Sequence, residues 1–99
     1  MKTLIDDLNK AFESRIRLGI MSALAVNDSL DFNSLKEFLN LTDGNLATHL
    51  KALEKEKYIS VNKTFIGKKP NTSYAVTPAG KTAFQKHLQA LENLIAAQE

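Results

Sequence analysis

The hydrogen-bonding and basic side chains Asn45, Thr48, His49, Lys51 and Lys55 fall within one run, LTDGNLATHLKALEKEKYI, over residues 41–59. A carboxamide can bond adenine through two atoms at once, a threonine offers both a hydroxyl and a methyl, and a lysine can neutralise phosphate. The spacing says how they are carried. Leu46, Leu50 and Leu53 fall at i, i+4 and i+7, a narrow apolar stripe by which a helix faces a core. Stepping about 100° per residue from Leu46, Gly44, Thr48, Lys51 and Lys55 collect on the opposite side, with Asn45, His49 and Ala52 along one flank. A helix entering the major groove of duplex DNA needs such an outward face, free of bulky apolar groups. Thr42 is suited to cap the helix, and Asp43 is well placed against its positive end.

Lys63, Lys68 and Lys69 form a second group. No acid occurs in residues 60–76, so the local charge of +3 exceeds the +2 of the whole chain. That asymmetry fits contact with a nucleic-acid backbone or minor groove, and equally a solvated hairpin whose lysines prevent edge-to-edge pairing. The adjoining helix favours the first.

Other chemistries find little support. The 99 residues, 43% hydrophobic and 24% charged, suit one domain with one core. The chain has no cysteine, which removes disulfides, thiol redox chemistry and thiolate metal sites and fits a reducing cytosol. His49 and His87 belong to different helices with no tight carboxylate cluster, so no metal is expected. Phosphate loop, nucleophile elbow and paired-carboxylate motifs are absent from the sequence, and neither enzymatic activity nor a cofactor is expected. No apolar run reaches the length of a membrane span or a signal-peptide core, which points to a soluble cytoplasmic protein without a membrane partner.

Several elements must position these side chains. The first 26 residues are helical in pattern, in two pieces: Leu4, Ile5, Leu8, Ala11 and Phe12 make one stripe, and Ile16, Ile20, Ala23 and Leu24 another. Gly19 in the second piece costs about 1 kcal/mol relative to alanine, and it marks either a close helix contact or simple tolerance. Arg15 and Arg17 could reach phosphate but are first taken as a solvated face. Residues 27–31 are turn-rich, and Phe32 could form one short strand. Asn33 can cap a short helix over residues 34–39 with Leu35, Phe38 and Leu39 inward, and Asn40 can end it in the left-handed conformation. Only Asn40 and Leu41 then precede the Thr42 cap, so the two helices form a helix-turn-helix. After Lys57 the period changes to 2: Ile59, Val61, Lys63 and Phe65 alternate with Tyr58, Ser60, Asn62 and Thr64, and a second strand covers residues 72–76. Gly67, Lys68, Lys69, Pro70 and Asn71 supply the turn, a hairpin with a positive tip. Thr77 as cap and Pro78 at the first position open a last helix running to about residue 97. On it Phe84, Leu88, Leu91 and Ile95 make a short heptad-like seam, with Leu94 beside it. Together with Leu4, Ile5, Leu8 and Phe12 this seam is expected to form a homodimer interface; the alternative is a helix packed wholly on its own domain.

This order of elements, with the runs RIRLGIMSAL, LTDGNLATHLKALEKEKYI and FIGKKPNTSYAVTPAG, resembles the small single-domain winged-helix transcriptional regulators related to the MarR and ArsR groups. The most specific parts are N-L-x-x-H-L-x-x-L-E, met by Asn45, Leu46, His49, Leu50, Leu53 and Glu54, and P-x-T-x-Y-x-x-T-x-x-G, met by Pro70, Thr72, Tyr74, Thr77 and Gly80. The resemblance implies a dimeric binder of double-stranded DNA with its third helix in the major groove and its wing on the adjacent minor groove or phosphates. Carried over, the base-reading positions are Asp43, Gly44, Asn45, Thr48 and His49. Asp43 serves equally as a cap, Gly44 as a turn residue, and His49 as a partly buried structural histidine. Glu54 and Glu56 offset Lys51 and Lys55, a departure from a strongly basic reader that leaves much of the affinity to the wing and to dimerisation.

The expectation is therefore one mainly α domain over residues 1–99 with a small β-hairpin: a winged helix-turn-helix with a recognition helix near 42–57, a wing near 58–77 and a dimerisation helix near 78–97. The function it points to is a homodimeric, sequence-specific regulator of transcription. The competing expectation is a winged-helix module for protein contacts, which has no need of Lys68 and Lys69. A small-molecule effector at the dimer interface is neither indicated nor excluded by the residues there.

Overall fold

The computed structural model describes residues 3–97. Two 3-10 turns, Leu4–Asp7 and Lys10–Phe12, lead into α1 (Arg15–Ala25), β1 (Leu30–Asp31), α2 (Phe32–Leu39), α3 (Asp43–Lys55), β2 (Ile59–Ile66), β3 (Lys69–Val76) and α4 (Pro78–Ala96). The antiparallel sheet has the order β1-β3-β2. Phe12, Ile20, Met21, Leu24, Leu35, Leu46, Leu50 and Leu53 are fully buried, so α1, α2 and α3 share one core with the turn before them.

Local capping explains where the elements begin. The expected first helix is replaced by the two turns. The Asp6 carboxylate accepts the Thr3 N–H at 2.6 Å, and the side-chain amide oxygen of Asn9 accepts the Ala11 N–H at 2.9 Å. The first bond closes the start of the first turn, whereas the Asn9 bond competes with helix propagation at Leu8 and Asn9, whose backbone is extended. The cap of α2 is Asp31, which accepts the Ser34 N–H at 2.8 Å, so Asn33 is not the cap and the short strand is Leu30–Asp31 rather than Phe32. The earlier start puts Phe32 on the inward stripe with Leu35 and Leu39. Phe38 lies off that stripe and is 72% exposed, contrary to its expected inward position.

Both helices of the helix-turn-helix stop on a left-handed residue. Asn40 takes φ 52° and Lys57 φ 63°. Leu41 N–H donates to Lys36 O at 3.1 Å and Tyr58 N–H to Leu53 O at 3.0 Å, the 6→1 bonds of a Schellman end. Gly19 does mark a close contact: a Cβ there would lie 2.9 Å from Leu39 Cδ2, so α1 and α2 approach through it.

The wing turns more tightly than its GKKPN run suggests. Ile66 pairs with Lys69 and Phe65 with Pro70, leaving only Gly67 and Lys68 in the turn. Gly67 has φ 65°, the positive value a two-residue hairpin turn needs at its first position. β1 pairs with β3 only at Tyr74 and Ser73, so the flank of β3 beside Pro70 is open and no ladder bond is lost there.

Thr77 joins wing to α4. Its hydroxyl accepts the Gly80 N–H at 2.9 Å and donates its proton to Lys57 O at 2.7 Å, while its backbone N–H donates to Tyr58 O at 3.0 Å. Gly80 must be glycine for this approach, since a Cβ would sit 2.0 Å from Tyr58 O. The inward face of α4 is Gly80, Phe84, His87 and Ala90. Phe84 and Phe12 therefore belong to the protomer's own core rather than to a seam between copies. The Phe12 ring lies 5.4 Å from that of Phe84 and 5.3 Å from those of Tyr58 and His87.

Candidate nucleic-acid interface

The apolar stripe of α3 is consumed by the core, and its other side is open. Leu46, Leu50 and Leu53 are buried, whereas Thr42, Asp43, Gly44, Asn45, Thr48, Lys51 and Lys55 are exposed. The Thr42 hydroxyl oxygen accepts the Asn45 N–H at 3.2 Å, which fixes the first turn and leaves the hydroxyl proton free to donate outward. The Asn45 carboxamide has no partner among the described residues and retains its full donor and acceptor capacity. Thr48 donates its proton to Gly44 O at 2.9 Å, so it presents oxygen lone pairs and a methyl rather than a donor. Nothing lies within 4 Å of a Cβ built on Gly44. The fold does not require glycine there, and a side chain would occupy only the space outside the helix start.

Two side chains of this face are engaged within the protein. Asp43 pairs with Lys36 of α2 at 2.8 Å, an exposed bridge across the helix-turn-helix that lowers the charge of its first turn. His49 is half-buried, and its Nδ1 lies 3.0 Å from Arg17 Nη1. A guanidinium can only donate, so Nδ1 accepts and the imidazole proton resides on Nε2. Burial, and after it the Arg17 charge, lowers the pKa of His49 from its ordinary value. Arg17 also donates from Nε to Ala11 O at 2.5 Å, linking the N-terminal turn, α1 and α3. It is neither a solvated surface residue nor free for phosphate. No spacing rule in the sequence joins Arg17 to His49 or Lys36 to Asp43, because both pairs form across helices.

The wing carries the second group. Lys63, Lys68 and Lys69 are exposed, and none has an ion-pair partner among the described residues. Tyr74 and Val61 face each other across the strands near the core. Burial and then the Glu54 carboxylate raise the Tyr74 pKa, holding it as a neutral phenol.

Among the described residues no group of three or more histidine, cysteine or acidic side chains is placed to hold a metal ion, and no helix is long and apolar enough to cross a membrane. His87 is a structural residue: it is buried, and its Nδ1 accepts the Asn9 N–H at 3.0 Å.

A helix-turn-helix with its second helix presented outward, beside a two-stranded wing, defines the winged helix class. The chain belongs to the winged helix DNA-binding domain family, which matches it over residues 16–95. It is 38% identical over 85 residues to an uncharacterized protein of Methanocaldococcus jannaschii, covering 86% of this chain and 92% of that one. Among solved structures it is similar to a transcriptional regulator homologue from Pyrococcus horikoshii, with a TM-score of 0.78 and 28% identity over 95% of this chain and 98% of that one. A MarR-family transcriptional regulator from Silicibacter pomeroyi shares the fold, with a TM-score of 0.69 and 16% identity over 91% of this chain and 60% of that one.

Proposed function

We propose that this protein is a sequence-specific regulator of transcription that binds double-stranded DNA as a homodimer. In this reading α3 lies in the major groove, with Asn45 and Thr48 against base edges, His49 Nε2–H directed at a base or phosphate acceptor, and Lys51 and Lys55 on phosphates. Lys63, Lys68 and Lys69 of the wing hold the adjacent minor groove or its backbone. The observation that carries this is the outward exposure of a polar α3 face, on which Asn45, Lys51 and Lys55 have no partner among the described residues, next to a cationic wing that contains no acid. The kinship with a family described as DNA-binding, and the likeness to a transcriptional regulator homologue, support it.

The partner copy is assigned to the outer face of α4. Leu88, Leu91 and Ile95 repeat at i, i+3 and i+7 and are all exposed, with Leu94 half-buried beside them. Leu4 and Ile5, also exposed, lie on the segment that packs along α4. Leu8 is half-buried in that segment. A stripe of this kind is stabilised by burial against its own two-fold copy, and a two-fold protein reads a two-fold site.

Selection from a pool of random duplexes, at low and at physiological salt, tests the proposal. The expected result is an inverted repeat with half-sites about one helical turn apart. Retention that vanishes with salt and enriches no sequence would leave only charge attraction, and no retention at low salt would favour a protein-contact module.

A further inference from the structure

The faces of β2 change character at the tip of the wing. One face reads Ser60, Asn62, Thr64 and then Ile66, and the other reads Ile59, Val61, Lys63 and then Phe65. Ile59 is buried and Val61 half-buried, so these two anchor the base of the hairpin at the core. Phe65 and Ile66 contribute nothing to that anchor, being 72% and 67% exposed. Phe65 stands opposite Pro70 and Ile66 opposite Lys69, so the tip is a narrow two-stranded end that carries two large apolar side chains. Lys63, Lys68 and Lys69 surround them, and no acid occurs anywhere in residues 57–91.

That combination selects a partner. The charge complements a polyanion, but holding phosphates requires only the lysines. An aromatic and a branched aliphatic side chain at the end of a cationic hairpin match a duplex opened between two base pairs, where apolar wedges entering from the minor groove replace lost stacking. Resting on the DNA-binding function above, we propose that the wing tip is such a wedge. Phe65 enters a base step from the minor groove, Ile66 packs on the sugars of the groove wall, and the bound duplex is kinked at that point. Steps that unstack cheaply, pyrimidine followed by purine, are then preferred at a fixed distance from the bases read by α3, although no hydrogen bond reads them. Specificity thus has two sources, one on α3 and one on the wing.

The test compares wild type, Phe65→Ala and Phe65→Leu on a pool of random duplexes, followed by measurement of the bend in the retained duplexes by circular permutation. Because Phe65 is exposed, the melting temperature of the variants should stay with that of wild type. The wedge predicts that wild type enriches a TA or CA step flanking each half-site and bends the DNA. Phe65→Ala should lose the step preference, most of the bend and about tenfold in affinity, while Phe65→Leu keeps most of each. If Phe65→Ala selects the same sites with the same bend and affinity, the wedge is wrong and the DNA-binding function stands. If Phe65→Ala instead converts a dimer to a monomer in sedimentation, the tip is a contact between copies and the proposal is overturned. If wild type retains no duplex, both fail.

Discussion

The imidazole of His49 connects recognition chemistry to the fold through one proton. Its Nδ1 accepts from Arg17, and protonation would place two cations face to face at 3.0 Å. Burial, followed by Arg17, keeps the folded-state pKa below the ordinary value. The unfolded chain therefore takes up this proton first as the pH falls through about 6.5. The stability that His49 contributes is present above that pH and is lost as the pH falls toward the folded-state pKa. Chemical denaturation of wild type and His49→Gln across pH 5 to 8 should show a fall in wild type below about pH 6.5 that the variant lacks. Parallel curves would mean that burial and the Arg17 charge together do not hold the His49 pKa down. At this scale Thr42 as cap and the inward leucines of α3 were legible in the sequence. The engagement of His49 and Asp43 was not, because each depends on a residue from another helix.

Elements are set by their ends. The left-handed stop at Asn40 is readable because asparagine tolerates that conformation, but the equivalent stop at Lys57 has no such signature. The sequence does not place the start of α2, for a related reason: Asp31 and Asn33 are both good caps, and the pairing of Leu30 and Asp31 with β3 decides between them. The N-terminal stripe has helical spacing, yet extended backbone at Leu8 and Asn9, with Asn9 capping a new turn, divides it into two. The junction of wing and α4 is the least forgiving point. Gly80→Ala would force Cβ into the Tyr58 carbonyl, which is backbone and cannot rotate away. It should destabilise the protein by about 3 kcal/mol, seen as a lower thermal midpoint. An unchanged midpoint would show that Tyr58 and α4 can separate without loss. For the wing itself, Lys68→Ala with Lys69→Ala should weaken binding to all duplexes alike and flatten the slope of log affinity against log salt by about 2 to 4 units per dimer. An unchanged slope would remove both lysines from the backbone contact.

For the whole molecule, α4 divides the work between core and surface. Its inward residues Phe84, His87 and Ala90 complete the domain, and Leu88, Leu91 and Ile95 remain outside. The long stripe was visible in the sequence, but its division was not, since periodicity cannot say which of two adjacent apolar faces a domain will use. Phe12 and Phe84 went to the core because the N-terminal turn folds back and stacks Phe12 among three rings. If the remaining leucines join two copies, Leu91→Glu should yield a folded monomer in sedimentation, with affinity for a two-fold site reduced at least about a hundredfold through lost avidity. A dimer that persists in Leu91→Glu would place the interface elsewhere.

Base reading by α3 depends above all on Asn45, whose carboxamide is exposed and has no partner among the described residues. The decisive measurement is parallel selection of duplexes by wild type and Asn45→Ala. In the variant, one position in each half-site should lose its base preference, at a cost of about 1 to 3 kcal/mol, while the spacing and symmetry of the site are retained. Identical selected sequences and affinities for the two proteins would show that Asn45 reads no base and that α3 does not dock as proposed.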